Sequence, residues 1–180
     1  MFLIFDTETT GLPTIKDALL TNFENWPRMV QLAWQLHDAH GNLIEAQNHI
    51  VRPDGFIIPI GAKVIHGIST EYATEAGKPL DEVLSMFLEV AKKAKYFVGH
   101  NIKFDLDIVG CEFLRRCNEN PLTTWKIIDT CTDKTAELCK IPGGSHGTGR
   151  YKFPKLIDIH RLLFDEDFNS AHNASADVEA

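Results

Sequence analysis

The first fifty residues show the period-two alternation of β-strands. Residues 2–5 form a short apolar run that ends at Asp6, and residues 30–37 alternate between larger apolar and smaller or polar side chains. The alternation stops at Gly41 and Asn42 and resumes over residues 43–51. This pattern predicts a first strand followed by a half-buried β-hairpin.

The middle of the chain changes to a helical period. Residues 79–95 place apolar side chains on one stripe, with acids early and lysines late, as the helix dipole favours. Residues 96–100 predict a short strand, and residues 104–117 predict a second helix. Ser69 is a candidate helix N-cap, and a further helix is expected to start at residues 151–154. The order is typical of an α/β fold with a mixed sheet and helices on both faces.

Composition limits the chain to one domain of ordinary size. Of its 180 residues, 44% are hydrophobic, which is enough for a sizeable core. No apolar stretch approaches the roughly 20 residues that span a bilayer, and Met1 leads directly into a strand without a basic leader. We therefore expect residues 1–180 to form a single cytoplasmic domain without membrane contact. The four cysteines form no Cys-x-x-Cys pair, which favours reduced thiols over a zinc site.

Carboxylates follow the first strand and recur in two later strings. Asp6 and Glu8 lie two residues apart, so an extended strand points both to the same side. The strings HNIKFD at residues 100–105 and HNASAD at residues 172–177 each end on a further aspartate. Four converging carboxylates raise one another's pKa unless divalent cations neutralise them. All-oxygen ligation suits Mg²⁺ or Mn²⁺.

In this order and with these neighbours, the three segments resemble the motifs of the DEDDh branch of the DnaQ-like 3'-5' exonucleases. The likeness runs from residue 2 to residue 180 and includes the Thr-Thr-Gly that follows Glu8. Within that family the chain is most similar to the epsilon-type proofreading subunits of bacterial DNA polymerase III. The resemblance implies a ribonuclease H-like fold and the release of nucleoside 5'-monophosphates from a nucleic-acid 3' end, with DNA favoured and two divalent ions as cofactors.

The resemblance also implies a role for each catalytic candidate. Asp6, Glu8 and Asp177 would ligate the two ions directly, with Asp6 bridging them. Asp105 would act as a ligand mainly through a metal-bound water. His172 would be the general base, because an imidazole titrates near neutrality.

A second group of residues would bind the substrate. Thr9, Thr10 and Gly11 resemble the part of the family pocket that meets the terminal nucleotide with backbone N–H groups, although a plain strand-exit turn is the alternative. His66 matches a family histidine that approaches the scissile nucleotide. Asn101 would contact the substrate strand.

Two other functions remain open from the sequence. The same mechanism could act on RNA, since nothing in the sequence visibly reads a 2'-hydroxyl. The chain could instead be a catalytically silent module that binds a nucleic-acid end or a DNA polymerase subunit. Such a module would have no need to hold four carboxylates together at electrostatic cost.

The helix that carries Asp177 stops at Ala180. Because isolated helices below about 12 residues are marginal, we expect this helix to be truncated.

Charge is distributed unevenly along the chain. The net charge of -7 argues against nonspecific attraction of phosphates. Residues 126–161 are nevertheless basic, which indicates either a path for a nucleic-acid strand or an ordinary solvated face.

Residues 143–149 contain four glycines without a following Lys-Ser or Lys-Thr. They predict a loop beside the substrate groove rather than a P-loop.

Overall fold

The computed structural model describes residues 1–143, 151–168 and 172–180. The glycine-rich string therefore lies outside the described residues beyond its first glycine. Within the described ranges, no helix is long and apolar enough to cross a membrane. The strands and helices, in chain order, are β1 (Phe2–Thr9), β2 (Met29–His37), β3 (Leu43–Ile50), α1 (Ile60–His66), α2 (Thr70–Ala76), α3 (Leu80–Ala91), β4 (Tyr96–Gly99), α4 (Lys103–Cys117), β5 (Lys126–Asp129), α5 (Asp133–Cys139), α6 (Leu156–Phe164) and α7 (Ala174–Glu179).

The strands form one mixed sheet in the order β3-β2-β1-β4-β5. Strand β1 pairs antiparallel with β2 along its length, but its parallel pairing with β4 runs only from Phe2↔Tyr96 to Ile4↔Val98. Strand β4 ends at Gly99, so β1 has no paired strand on this side beyond its first residues. The carboxyl ends of parallel strands are where open α/β sheets bind ligands, and the unpaired part of β1 carries the first two candidate acids.

An aromatic cluster fixes β1 and β4 side by side. Phe87 of α3 packs edge-on against Phe5 and Trp34, with ring centroids 5.1 and 5.7 Å apart. Phe97 of β4 lies 5.5 Å from Phe5 and stacks on Trp125 at 4.9 Å. Such pairs add about 0.5–1.5 kcal/mol each beyond area burial. These rings belong to the main hydrophobic core cluster of the described residues.

The predicted hairpin is confirmed as β2 and β3, but β2 is not half-buried. Gln31 and Ala33, on the face expected to meet solvent, are 2% and 1% exposed. The reason is α7, which packs on that face of β1 and β2. A period-two pattern shows which residues share a face, but it does not show what covers that face.

The long elements lie where the sequence patterns place them, and Ser69 caps α2 by accepting the Tyr72 N–H at 3.2 Å. Apart from the cap at Ser69, the patterns did not predict α1, α2, α5 or β5. The three helices have seven residues each, which is too short for a helical period to stand out. Strand β5 has four residues on the sheet edge, where three side chains are exposed and no alternation arises.

Helix α7 is held by the sheet rather than by its own length. It has six residues, fewer than an isolated helix needs. Ala174 and Val178 are buried against Ala33. The Ala174 N–H donates to Gln31 Oε1 at 3.3 Å, and Gln31 Nε2 donates to Asn48 Oδ1 at 2.8 Å. These contacts fix the start of the helix that carries the last candidate acid.

Replacing Gln31 by Met keeps a long side chain in place but leaves the Ala174 N–H without its acceptor. An unpaired buried donor costs about 1–3 kcal/mol, and we expect the free energy of unfolding in urea to fall by that amount. As a control, Asn48→Ala removes only the exposed partner on the other side of Gln31 and should change stability by about 0.5 kcal/mol. Equal losses in both variants would contradict the anchoring role of Gln31.

Candidate active site

Three of the four predicted acids converge at the carboxyl end of β1. One carboxylate oxygen from each of Asp6, Glu8 and Asp177 lies within 4.8 Å of the other two. Asp6 and Glu8 extend from the same face of the strand because they are two residues apart. Helix α7 brings Asp177 to that face from the other end of the chain.

Asp105 lies beside this group in the first turn of α4 and is 3% exposed. Its Oδ1 accepts the Thr7 N–H at 2.9 Å and the Thr7 hydroxyl at 2.6 Å. Thr7 stands between Asp6 and Glu8, so these two bonds tie α4 to the acid-bearing part of β1. Asp105 does not belong to the set of oxygens within 4.8 Å, and its role as a ligand stays a prediction.

Burial raises the pKa of all four acids, and neighbouring negative charge adds to the shift at Asp6, Glu8 and Asp105. Burial is the largest cause at Asp6, and the charges of Asp105, Asp177 and Glu8 follow. Burial and the charges of Asp177 and Asp105 raise the pKa of Glu8 to about 8. Burial raises the pKa of Asp105 to about 7 against the opposing bonds from Thr7, and it also raises the pKa of Asp177. Positive charge placed among these groups would relieve the repulsion.

The chemistry of this donor set fits a hard divalent cation. The three converging atoms are all carboxylate oxygens, which is the ligand type that Mg²⁺ and Mn²⁺ prefer. No cysteine of the described residues joins the group. Asp6, Glu8 and Asp177 are therefore the residues that would hold a metal ion, with Asp105 adjacent.

His172 lies next to the acids, just before α7. Its backbone is left-handed, with φ 68°, and its side chain is exposed. The His172 N–H donates to Asp177 Oδ2 at 3.1 Å. Nearby His172 and His100 oppose the upward shift that burial gives the pKa of Asp177. The structure thus brings the predicted base and the last acid together.

The turn after β1 is held by paired hydrogen bonds. The Thr10 N–H donates to the Arg28 carbonyl and the Arg28 N–H donates to Thr10 Oγ1, both at 2.9 Å. Thr9 Oγ1 donates to the Gly11 carbonyl at 2.6 Å. The Thr10 N–H is therefore already engaged, whereas the Gly11 N–H makes only a long 3.4 Å contact with Thr9 Oγ1. Of the predicted N–H donors, that of Gly11 is the better placed to meet a ligand.

A buried ion-pair network anchors this turn. Glu112 Oε1 accepts from Arg28 Nε at 2.9 Å and from the Met29 N–H at 3.0 Å, and it pairs with Arg115 at 3.1 Å. The guanidinium of Arg28 lies 4.5 Å from the centre of the Phe56 ring. Sequence reasoning missed Glu112, because a single acid within a helix gives no sign of burial.

His66 ends α1 beside the Thr9 carbonyl. Its Nδ1 accepts the Ile68 N–H at 3.1 Å, so the ring proton belongs on Nε2. That buried Nε2 has no hydrogen-bond partner among the described residues. Burial lowers the pKa of His66, and the Thr9 carbonyl opposes this shift. The Nε2–H of His66 is therefore buried at the turn, where the Thr9 carbonyl acts on the ring.

Asn101 is exposed and left-handed, with φ 60°. Its N–H donates to Asp129 Oδ1 at 2.8 Å, and the same oxygen accepts the Cys131 N–H at 2.7 Å. Sequence reasoning missed Asp129 as a residue that positions Asn101. The signal was present, because Asp129 ends an apolar strand in the same way that Asp6 follows one.

The basic segment offers exposed lysines but not every cation predicted for it. Arg161 is paired with Asp167 at 2.6 Å, and Arg150 lies outside the described residues. The path for a nucleic-acid strand stays a prediction for the exposed side chains, which are Lys126, Lys134, Lys140, Lys152 and Lys155.

Comparison with known sequences places these motifs in a family. Residues 3–180 match the exonuclease family (RNase_T). The DNA polymerase III subunit epsilon of Treponema pallidum is 29% identical over 177 residues, which covers 98% of this chain and 71% of that protein. The PolC-type DNA polymerase III of Streptococcus thermophilus is 29% identical over 130 residues, covering 72% of this chain but only 8% of the polymerase.

Comparison with solved structures confirms the ribonuclease H-like fold. Escherichia coli exonuclease I in complex with a dT13 oligonucleotide superimposes with a TM-score of 0.75 at 21% identity. The match covers 99% of this chain and 38% of exonuclease I. The zinc-bound complex of the same enzyme with single-stranded DNA gives a TM-score of 0.76 at 21% identity.

The raised pKa values predict how a metal ion changes stability with pH. Between the ordinary pKa of Glu8, 4.5, and its raised value of about 8, the folded protein binds more protons than the unfolded chain. The metal-free protein therefore loses stability as pH rises through this range. An ion that binds only the folded state offsets the loss. We expect Mn²⁺ to raise Tm more near about pH 8 than near about pH 6, as measured by differential scanning fluorimetry.

Asp6→Asn tests whether the acids cause this effect. Removing one buried charge should raise the Tm of the metal-free protein near about pH 8 and abolish most of the gain from Mn²⁺. Glu137→Gln, an exposed acid of α5, is the matched control and should change neither value. An undiminished Mn²⁺ gain in Asp6→Asn would show that the ion binds elsewhere.

Proposed function

The chain belongs to the exonuclease family, and we propose that it is a metal-dependent 3'-5' exonuclease that releases nucleoside 5'-monophosphates from the 3' end of DNA. The observation that carries this proposal is the convergence of oxygens from Asp6, Glu8 and Asp177 within 4.8 Å. We propose that residues 1–180 form a single exonuclease domain.

Each residue of the site has a defined part in the proposed reaction. Asp6, Glu8 and Asp177 hold the divalent ions, Mg²⁺ or Mn²⁺, with Asp105 completing the acid set. Bound divalent ions supply neutralisation of phosphate charge and activation of water. His172 accepts a proton from the attacking water, and because its side chain is exposed it can pass that proton to solvent.

The terminal nucleotide is proposed to lie against the turn after β1. The Gly11 N–H makes only a long contact, at 3.4 Å, and the Nε2–H of His66 is buried beside the Thr9 carbonyl. They lie close to Thr9, which directly follows Glu8 in the strand. Donors at this position would orient the nucleotide whose phosphodiester bond reaches the acids.

The choice of DNA as substrate is supported by the relatives. The similar sequences include a DNA polymerase III subunit epsilon and a PolC-type DNA polymerase III. A structural neighbour, exonuclease I, was solved with a DNA oligonucleotide. We propose the 3' end of DNA as the substrate and a DNA polymerase subunit as a partner. The same acids would hydrolyse RNA if the sugar pocket admits a 2'-hydroxyl.

Digestion of matched DNA and RNA oligomers tests the function. With Mn²⁺, we expect a 3'-labelled DNA strand to release its labelled nucleoside 5'-monophosphate first, as resolved by chromatography. Asp6→Asn should slow this release by more than about 100-fold, the upper range for losing an outer partner of a metal ligand. Glu137→Gln should cleave at the unaltered rate. Unchanged release by Asp6→Asn would contradict the metal-dependent mechanism, and faster release from RNA would reassign the substrate.

His172→Gln separates proton transfer from metal binding. Loss of a general base lowers the rate by about 10²–10⁴-fold, and we expect the turnover of DNA to fall within this range. The Tm gain from Mn²⁺ should persist, because the hydrogen bond of His172 to Asp177 comes from its main chain. His40→Gln, an exposed histidine in the hairpin turn, is the control. A lost Mn²⁺ gain in His172→Gln would instead indicate that this side chain helps to hold the ion.

A further inference from the structure

A cavity of about 340 Å³ opens on the side of the sheet that carries the acids. Asp6 and Asp177 belong to its lining, and α6 contributes the apolar side chains of Leu156, Ile159 and Leu163 to the same lining. The position of α6 therefore sets the shape of the space beside two of the proposed metal ligands.

Helix α6 buries little of its own surface. Of its nine residues, Ile159 is the buried one. The large apolar side chains at its end are 48%, 60% and 58% exposed, in the order Leu162, Leu163 and Phe164. A helix that buries one large side chain gains little from apolar contact. Polar contacts therefore matter for where α6 lies on the sheet.

The ring of His100 supplies such a contact. Its Nε2 lies 2.9 Å from the carbonyl oxygen of Pro154, two residues before α6, and its Nδ1 lies 2.9 Å from Thr130 Oγ1, just after β5. A carbonyl oxygen only accepts hydrogen bonds, so Nε2 carries a proton, and in the neutral ring Nδ1 accepts from the Thr130 hydroxyl. These three residues, Thr130, His100 and Pro154, form the His100 clamp.

The sheet side of the His100 clamp is fixed by the main chain. The Thr130 N–H donates to the Gly99 carbonyl at 3.0 Å. The Asn101 N–H donates to Asp129 Oδ1 at 2.8 Å. Both neighbours of His100 in the sequence are therefore bonded to residues at the end of β5. The ring thus extends from a rigid base toward the start of α6.

The other end of α6 leads to the proposed base. His160 Nδ1 lies 2.9 Å from the Glu166 carbonyl oxygen, and the ring centres of His160 and Phe168 are 5.2 Å apart. The chain that follows α6 therefore folds back on the helix. His172 comes four residues after Phe168, which limits the distance between their Cα atoms to about 14 Å. A displacement of α6 would therefore move the segment that leads to His172.

We propose that His100 is a positioning residue, which holds the start of α6 against the end of β5 and thereby sets the cavity beside the acids and the approach of the base. This role rests on the proposed exonuclease function, and His100 acts in it through α6 and not on the reacting atoms. Thr10 and Gly11 of the proposed nucleotide-binding turn do not line the cavity. The His100 clamp therefore governs kcat rather than KM.

His100→Leu and His100→Gln test the clamp. Leu removes both polar contacts, whereas the Gln amide keeps a donor for the Pro154 carbonyl. At a temperature at which both variants are folded, we expect His100→Leu to lower kcat on a 3'-labelled DNA strand with Mn²⁺ by about 10–100-fold, because a displacement of about 1 Å can cost about 100-fold. KM should stay unchanged. His100→Gln should recover most of the lost kcat.

Hydrogen exchange measured by mass spectrometry monitors the clamp without any use of activity. The amide protection of α6 should fall in His100→Leu and stay close to that of the unaltered protein in His100→Gln. The Tm gain from Mn²⁺ should persist in both variants, because β1 and α7 hold the acids through other contacts. His40→Leu, which replaces an exposed histidine of the hairpin turn, is the control and should change none of these values.

Thr130→Val tests the same clamp from the sheet side. It removes the hydroxyl that meets Nδ1 and leaves His100 in place, so kcat should fall about threefold for one lost hydrogen bond. In the His100→Leu background it should cause no further loss, because the two residues act through one contact. Losses that add fully in the double variant would overturn the clamp.

The outcomes separate this inference from the function on which it rests. Lost protection of α6 with unaltered kcat overturns the positioning role, because the position of α6 would then not matter for the reaction. Lost kcat with unaltered protection overturns it as well, since His100 would then act on the acids directly. A raised KM with unaltered kcat also overturns it. An unaltered protein that hydrolyses no oligomer overturns the proposed function, whereas the hydrogen-exchange comparison still tests the contact with α6.

Discussion

The closeness of the partly buried carboxylates of Asp6, Glu8 and Asp177, which have oxygens within 4.8 Å of one another, is the constraint on which the other features of the site depend. These groups are partly buried, so they lose hydration as well as repelling one another. The rise in the pKa of Glu8 from 4.5 to about 8 corresponds to a cost on the order of a few kcal/mol. A domain is stable by only about 5–15 kcal/mol. Such an arrangement persists only if separate contacts hold each acid in place.

The fold provides these contacts independently for each acid. Asp6 and Glu8 belong to the central strand of the sheet, which is paired on both sides at its start. Asp105 is fixed by two hydrogen bonds from Thr7, between those two residues. Asp177 is carried by α7, whose first N–H is held by Gln31. None of these contacts depends on another acid. The fold itself therefore positions the carboxylates, and the binding of an ion need not order them.

Local patterns in the sequence predicted the parts of this arrangement that depend on local geometry. The two-residue spacing of Asp6 and Glu8 gave a shared face, and alternation gave the hairpin. The docking of α7 could not be predicted from its six residues, because helix length describes an isolated peptide and not one buried against Ala33. The bonds of Thr7 to Asp105 and of Asn101 to Asp129 join residues 98 and 28 positions apart. No periodicity connects such pairs.

The turn at Gly11 explains how one short segment can serve both the chemistry and the substrate. Residues up to Glu8 present acids to one side of β1, whereas the side chain of Leu12, beyond the turn, is exposed. The chain changes direction through a glycine whose backbone other residues rarely adopt, and the hydrogen bonds between Thr10 and Arg28 hold that change in place. Buried Glu112 fixes Arg28 in turn. The position of the turn relative to the acids is therefore set by the core, so a nucleotide held at the turn, as proposed, would have its phosphate at a fixed position relative to the carboxylates.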